Sequence, residues 1–264
     1  MALNWIDVEG LSFNTLLLLD REQLAWLTGW LPEKELATAL KANPAVEWYL
    51  RNKNPKLDDW IEVVMGKASQ NASKEEIRRC EETILRSIND WVCYVVDPGI
   101  YESQPFLFWD SAELYSLVNL TRKTVIDVGA GTGRLAFTAA EEGAQYVFAV
   151  EPVNNLRVFI KEKARDKGVK NIYPMSGLIT DLLFPDDFVD VAMGGHVFGD
   201  NQENEYQEMV RVVKPGGMVI LCPGNSDKDD EKHEFLVCQG FQWSRFEEPG
   251  DGIKRKYWKI VKNK

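Results

Sequence analysis

The sequence is short of the residues that build disulfide frameworks and structural zinc sites. It contains four cysteines, none of them in a Cys-x-x-Cys pair, and only two histidines. Disulfide frameworks occur in chains rich in cysteine, and structural zinc sites use closely spaced cysteines and histidines, so we expect neither, and no metal at the functional site. The first ten residues also lack a basic, apolar leader, which favours a cytoplasmic location.

Long hydrophobic runs are missing as well. The longest leucine run, residues 16–19, is closed at once by charged residues, whereas a membrane-spanning helix needs about 20 apolar residues. The net charge of −10 opposes binding to phosphate backbones and anionic lipids. We therefore expect no nucleic-acid partner and no membrane partner. The basic residues 254–264 are expected to form a solvated, charged sheet edge rather than a nucleic-acid patch.

The first hundred residues differ in pattern from the rest. Six of the nine tryptophans lie there, together with apolar residues at helical spacing. Ser73 and Glu76 form a predicted capping box that opens the strongest helix, which we expect to continue to a stop at Pro98. The sequence thus predicts a helical N-terminal domain over residues 1–100 and a second domain over residues 101–264.

In the second domain, short apolar runs alternate with helical segments, which predicts an α/β fold with a doubly wound, mostly parallel sheet. Five parallel strands are expected at residues 125–128, 146–150, 171–173, 189–193 and 218–222. Two more are expected at residues 241–246 and 257–261, and the short turn between them makes them antiparallel. The prediction is a seven-stranded sheet that ends in an antiparallel C-terminal hairpin.

A glycine-rich turn follows the first predicted strand and opens a helix; it reads Asp127-Val128-Gly129-Ala130-Gly131-Thr132-Gly133-Arg134. Glycine permits positive φ and close approach of a ligand, while a helix N-terminus presents free N–H groups. A dinucleotide fingerprint, Gly-x-Gly-x-x-Gly, would need glycine where this chain has Arg134. A P-loop is excluded too, because no Gly-Lys-Ser/Thr follows.

The spacing Asp-x-Gly-x-Gly-x-Gly resembles motif I of the class I S-adenosylmethionine-dependent methyltransferases. Glu151 after the second strand, the segment 184–190 and the turn 211–217 resemble further landmarks of the same family, in the same order. The resemblance covers residues 121–264. It implies S-adenosylmethionine as the cofactor and transfer of its methyl group to an oxygen, nitrogen or carbon nucleophile on a small-molecule acceptor, mainly by proximity and orientation.

The resemblance also assigns the cofactor-binding residues. Asp127 would orient the loop and face the methionine amino group, directly or through water. Glu151 would hold the ribose hydroxyls, since a carboxylate can accept a hydrogen bond from each. The positions expected to line the amino-acid and ribose moieties are Gly129, Ala130, Gly131 and Gly133.

Adenine recognition and methyl transfer depend on less typical positions. Many relatives bind the adenine amino group with an acid where this chain has Leu178, so Leu178 and Ile179 are expected to sandwich the ring instead. Tyr101, at the entry to the domain, is expected to cover the cofactor. His196 follows the fourth strand, where the reactive methyl group should lie, and is the candidate general base or cofactor contact.

Two other functions stay open at this point. The first is a non-catalytic S-adenosylmethionine-binding module whose helical domain binds a partner protein. The second is an NAD(P)-dependent oxidoreductase, which Arg134 disfavours. In the favoured hypothesis the helical domain caps the pocket and selects the acceptor, but no residue pattern identifies that acceptor or the oligomeric state.

Overall fold

In a computed structural model of the protein, which describes residues 4–262, the chain divides into two compact units, Met1–Glu102 and Ser103–Lys264. No helix within the described residues is long and apolar enough to cross a membrane.

The N-terminal unit is helical. Its α-helices are α1 (Arg21–Ala25), α2 (Glu33–Ala42), α3 (Pro44–Lys53), α4 (Asp58–Met65), α5 (Lys74–Ser87), α6 (Asn89–Val96) and α7 (Pro98–Glu102). The capping box predicted at the start of α5 is present: the Ser73 hydroxyl accepts the N–H of Glu76, and the Glu76 carboxylate accepts the N–H of Ser73.

The single long helix predicted from Ser73 to Pro98 is interrupted at Ile88, whose φ of −111° and ψ of 30° separate α5 from α6. The next residue explains the break. The Asn89 side chain accepts the N–H groups of Trp5 and Ile6, at 2.7 and 3.0 Å, and donates to the Ile6 carbonyl. Helical periodicity carries no information about a contact with a segment more than 80 residues earlier.

The C-terminal unit is built on a seven-stranded sheet. Its strands are β1 (Thr124–Val128), β2 (Tyr146–Val150), β3 (Ile172–Met175), β4 (Val189–Gly194), β5 (Val213–Ser226), β6 (Gln242–Glu248) and β7 (Gly252–Ile260). Their order is β3-β2-β1-β4-β5-β7-β6; the first five are parallel, and β7 is antiparallel to both β5 and β6. The predicted fold class is confirmed.

Helices cover both faces of this sheet, because successive residues of a buried parallel strand point to opposite sides. The helices of this unit are α8 (Ala112–Tyr115), α9 (Arg134–Glu141), α10 (Asn154–Asp166), α11 (Gln202–Val212) and α12 (Glu231–Cys238). Val125 packs in one apolar layer with residues of α9 and α10, whereas its neighbour Ile126 packs in the other with residues of α11 and α12.

Three parallel strands end at the same edge of the sheet. Val128, the last residue of β1, is in register with Val150 of β2 on one side and with Gly194 of β4 on the other. The loops that follow these strands therefore start side by side, which is where ligands bind in open α/β sheets.

The prediction that residues 254–264 form a solvated sheet edge is wrong for three of them. Lys254, Arg255 and Lys256 are buried, because β7 lies inside the sheet between β5 and β6. Their charges are paired with the carboxylates of Asp251, Asp227 and Glu113, respectively. Residues 263 and 264 lie outside the described part of the chain.

Candidate cofactor and acceptor site

The loop after β1 depends on glycine. Left-handed backbone conformations, with φ of 63°, 54° and 88°, occur at Gly129, Gly131 and Gly133. A Cβ on Gly129 would lie 2.5 Å from Cγ2 of Val197, and one on Gly133 would lie 3.0 Å from Cδ2 of Phe137. The loop thus needs glycine both for its backbone conformation and for the close packing of its neighbours.

Two buried carboxylates flank this loop. Asp127, near the end of β1, accepts the N–H of Ala136 through Oδ2 at 2.8 Å, and its Oδ1 has no hydrogen-bond partner. Glu151, directly after β2, accepts the N–H of Gly131 through Oε2 and the N–H of Val153 through Oε1, both at 2.9 Å. The structure brings together both acids that the sequence singled out.

Both carboxylates are held in a poorly solvated environment. Burial raises the pKa of Asp127 to about 8; the backbone N–H bond opposes this shift, and the charge of Glu151 adds to it. Burial also raises the pKa of Glu151 to about 7, against its two backbone N–H bonds and the charge of Arg157. Buried acids with so few compensating partners favour a ligand that brings positive charge or hydrogen-bond donors.

Gly177, which precedes the two residues predicted to contact adenine, packs against the end of β2. Ala130 donates its N–H to the Val150 carbonyl at 3.1 Å, and a Cβ on Gly177 would lie 2.8 Å from Cγ1 of Val150. Leu178 is 39 % exposed, while Ile179 packs against the apolar layer that contains Val150. An apolar surface therefore occupies the position where an acid is common, and its contact with adenine stays a prediction.

The loop after β4 carries His196, which has a left-handed φ of 56° and donates its backbone N–H to the Pro223 carbonyl at 2.9 Å. Its Nε2 lies 2.7 Å from Oε1 of Glu248, a carboxylate with no exposed surface. The next side chain, Val197, packs against Gly129 and so joins this loop to the glycine loop. Sequence reasoning missed Glu248, because no local pattern links residues 52 positions apart.

A second residue missed in the sequence anchors the same loop. Glu205 of α11 is 1 % exposed, and its carboxylate accepts the backbone N–H groups of Gly199, Asp200 and Asn201 at 2.6 to 3.1 Å. An acid in the first turn of a helix is a general signal for such N–H bonding, but the sequence did not show that this one is buried.

Arg134 has a structural task in the C-terminal unit. Its guanidinium donates to the carbonyls of Leu107 and Trp109, at 2.7 and 2.6 Å, and to the Ser111 hydroxyl at 2.9 Å. It also lies 4.7 Å from the centre of the Trp109 ring. The residue that breaks the dinucleotide spacing therefore fixes the segment that leads into β1.

Tyr101 belongs to the helical unit, where it lies in α7. Its ring centre is 5.3 Å from that of Trp5 and 5.0 Å from that of Tyr94. The predicted role of Tyr101 as a cover for the cofactor stays a prediction.

Residues 125–217, which include β1 to β4 and the start of β5, match a family model described as "Methyltransferase domain". This segment is a methyltransferase domain. The match confirms the resemblance to the class I S-adenosylmethionine-dependent methyltransferases and, with it, S-adenosylmethionine as the cofactor of the domain.

Curated proteins and solved structures resemble the methyltransferase domain as well. Protein arginine N-methyltransferase PRMT10 of Oryza sativa subsp. japonica is 32 % identical over 142 residues, which cover 48 % of this chain and 36 % of that protein. Histone-arginine methyltransferase CARMER of Drosophila persimilis is 28 % identical over 142 residues, covering 52 % of this chain and 27 % of that protein. A SAM-dependent methyltransferase from Aquifex aeolicus superposes with a TM-score of 0.48 at 20 % identity, covering 62 % of this chain and 98 % of that one.

The two curated relatives correct one prediction. Both are named for arginine in proteins, so the predicted small-molecule acceptor is wrong. The sequence held no residue pattern specific to an acceptor, and the small-molecule choice had no physical support of its own. The chain spans only about a third of the length of these relatives, 36 % and 27 %.

The residues around the glycine loop fit S-adenosylmethionine. The unpartnered Oδ1 of Asp127 is a buried acceptor that an ammonium group or a bridging water would satisfy. Gly129, Gly131 and Gly133 carry no side chain, which favours close approach of a ligand to the backbone of the loop. Glu151, at the end of the neighbouring strand, supplies a carboxylate for vicinal hydroxyls. The charges and hydrogen-bonding groups of these residues therefore match this cofactor.

Proposed function

We propose that this chain is an S-adenosylmethionine-dependent methyltransferase that acts on a protein, with the side-chain nitrogens of arginine as acceptor atoms. The observation that carries the cofactor half is the pair of buried, undercompensated carboxylates, Asp127 and Glu151, beside the glycine loop. The acceptor half is supported by the names of the two relatives, protein arginine N-methyltransferase and histone-arginine methyltransferase, which match about half of this chain.

Some residues of the site would bind the cofactor, and one would accept a proton. When bound, S-adenosylmethionine supplies a methyl group on a positively charged sulfur. Asp127 would bind the ammonium group, Glu151 the ribose hydroxyls, and Leu178 and Ile179 the adenine ring. Methyl transfer depends mainly on the alignment of the acceptor nitrogen. His196, on the loop after β4, would accept the proton that this nitrogen loses.

The helical unit is proposed to select the acceptor. Three of its tryptophans, Trp26, Trp30 and Trp48, are 39 %, 50 % and 65 % exposed. Exposed tryptophan faces attract cations such as guanidinium groups, which supports a protein acceptor rich in positive charge.

A cytoplasmic location is also part of the proposal, and it is supported by the four free cysteines.

The proposal is tested by incubating the full chain with S-adenosylmethionine labelled in its methyl group, either with core histones or with free arginine. We expect label in histone arginine, located by mass spectrometry of the digested protein, and none in free arginine. Label in free arginine would contradict the protein acceptor. Calorimetric titration with S-adenosylmethionine is run in parallel, and an absence of binding there would overturn the proposed function altogether.

A further inference from the structure

A buried acid contacts the imidazole of the β4 loop. Glu248, the last residue of β6, has no exposed surface, whereas the side chain of His196 is 39 % exposed. Oε1 of Glu248 lies 2.7 Å from Nε2 of His196, and its Oε2 has no hydrogen-bond partner. The acid therefore faces inward and the imidazole faces outward. This arrangement suits a residue that acts on the histidine rather than on a ligand.

A cation lies beside the carboxyl group of Glu248. The ammonium group of Lys254 lies 3.6 Å from Oε2 of Glu248 and 2.7 Å from the carboxylate of Asp251. A nearby cation stabilises a buried carboxylate, which then can only accept hydrogen bonds. A hydrogen bond donated by Nε2 of His196 to such a carboxylate would leave Nδ1 as the lone-pair nitrogen of the neutral ring.

The backbone of His196 is held as firmly as its ring. Its left-handed φ of 56° is uncommon for a residue other than glycine, and its N–H is bonded to the Pro223 carbonyl. The Phe106 ring packs edge-on against the imidazole, with centres 5.8 Å apart. A strained backbone that neighbouring contacts hold in place is typical of functional positions.

We propose that Glu248 is a positioning residue that holds His196 in the Nε2–H tautomer, so that Nδ1 accepts the proton of the methylated nitrogen. This inference rests on the proposed function. The acceptor nitrogen forms a bond to the methyl carbon while the bond between that carbon and sulfur breaks. The electron pair of the broken bond stays on sulfur. The proton released by the nitrogen moves to Nδ1, and the Glu248 carboxylate balances the charge of the imidazolium without being protonated itself.

Nitrogen NMR of the ligand-free protein tests the tautomer directly. The chain has only two histidines, so labelling both with nitrogen-15 gives few signals, and His196→Gln assigns those of His196 by their disappearance. At alkaline pH we expect the Nε2–H pattern for His196. The Nδ1–H pattern in the unsubstituted protein would overturn the inference without any variant or cofactor.

Two substitutions separate the tautomer from the charge. Glu248→Leu removes the acceptor, so the two tautomers of His196 should mix. Glu248→Gln can keep an acceptor oxygen on Nε2 and hence the tautomer, but it removes the charge. In both, kcat on the protein acceptor should fall about ten- to a hundredfold while KM for S-adenosylmethionine stays the same. An unchanged tautomer in Glu248→Leu, or an unchanged kcat in Glu248→Gln, would contradict the proposed role.

The matched control is Glu247→Gln, because Glu247 is the exposed neighbour on the opposite face of β6. It should leave the tautomer, kcat and KM unchanged; the same fall in kcat there would contradict a specific role for Glu248. Failure of the proposed function has a different signature, since the unsubstituted protein would then not bind S-adenosylmethionine even if the Nε2–H pattern is found.

Discussion

The carboxylate of Glu151 accepts the backbone N–H of Gly131 at 2.9 Å. This bond joins the end of β2 to the turn after β1, two points separated by 20 residues in the chain. Because Gly131 has a left-handed φ of 54°, its N–H is directed toward the neighbouring strand end rather than into the helix that follows. One side chain thus shapes the loop and presents a carboxylate beside it.

Replacing Glu151 should weaken cofactor binding. In Glu151→Gln, one of the two accepting oxygens becomes an NH₂ group, and the negative charge is lost. Affinity for S-adenosylmethionine should fall about ten- to a hundredfold, which corresponds to roughly 1.5–3 kcal/mol for hydrogen bonds to a charged group. Calorimetric titration measures it. Glu142→Gln, an exposed position at the end of α9, is the control and should bind as the unsubstituted protein does.

The stability of the ligand-free protein should fall as pH rises from about 3.8 to 8 on account of Asp127 and Glu151. Burial raises the pKa of these carboxyls to about 8 and about 7 in the folded state, so the unfolded chain loses its protons first. Within this window the folded state binds more protons, and rising pH favours unfolding. Above about pH 8 both carboxyls are ionised in the folded state as well, so the unfolding free energy falls no further on their account.

Urea unfolding between pH 4 and 9 measures this dependence. In Asp127→Asn the decline in unfolding free energy with pH should be shallower, because one of the two titrating groups is gone. The control is Asp166→Asn, an exposed residue at the end of α10, which should keep the original slope. An equal slope in all three proteins would show that burial does not shift the pKa of Asp127.

Gly129→Ala should destabilise the fold more than Gly168→Ala. Both glycines have positive φ, 63° and 68°, so an alanine at either position costs about 1–2 kcal/mol of backbone strain. Only at Gly129 would the new Cβ meet a neighbour, Cγ2 of Val197 at 2.5 Å, whereas Gly168 has open space. Overpacking adds about 1–3 kcal/mol at Gly129. Chemical denaturation compares the two, and equal losses would refute the close packing of the glycine loop against Val197.

Glu205→Gln should destabilise the β4 loop. The amide keeps one accepting oxygen, so at least one of the N–H groups of Gly199, Asp200 and Asn201 loses its buried partner. The unfolding free energy should fall by about 1–3 kcal/mol. Glu203→Gln, an exposed position two residues earlier in α11, should change it by less than about 0.5 kcal/mol. Hydrogen exchange of these three amides provides a local measurement and should be faster in Glu205→Gln alone.

Much of the sheet and of the cofactor loop could be predicted because their signals are local. A strand, a glycine turn and a helix follow one another within about twenty residues, and each part has its own pattern in apolar period or backbone freedom. The acid at Glu151 was found in the same way, since it directly follows the next strand. The prediction of the acceptor class was wrong because no short sequence pattern encodes it. Leu178 likewise carries no sequence signal for adenine binding.

By itself, the sequence determined the elements whose causes lie within a few residues: the capping box at Ser73, the left-handed glycines and the parallel strands with their hairpin. Only the tertiary structure decided which distant residues meet. Asn89 interrupts a helix by bonding Ile6, β7 buries Arg255 by pairing between two strands, and Glu248 meets His196 across 52 residues. These contacts depend on how the chain packs as a whole, because burial and hydrogen-bond partners are properties of neighbours in space and not of neighbours in sequence.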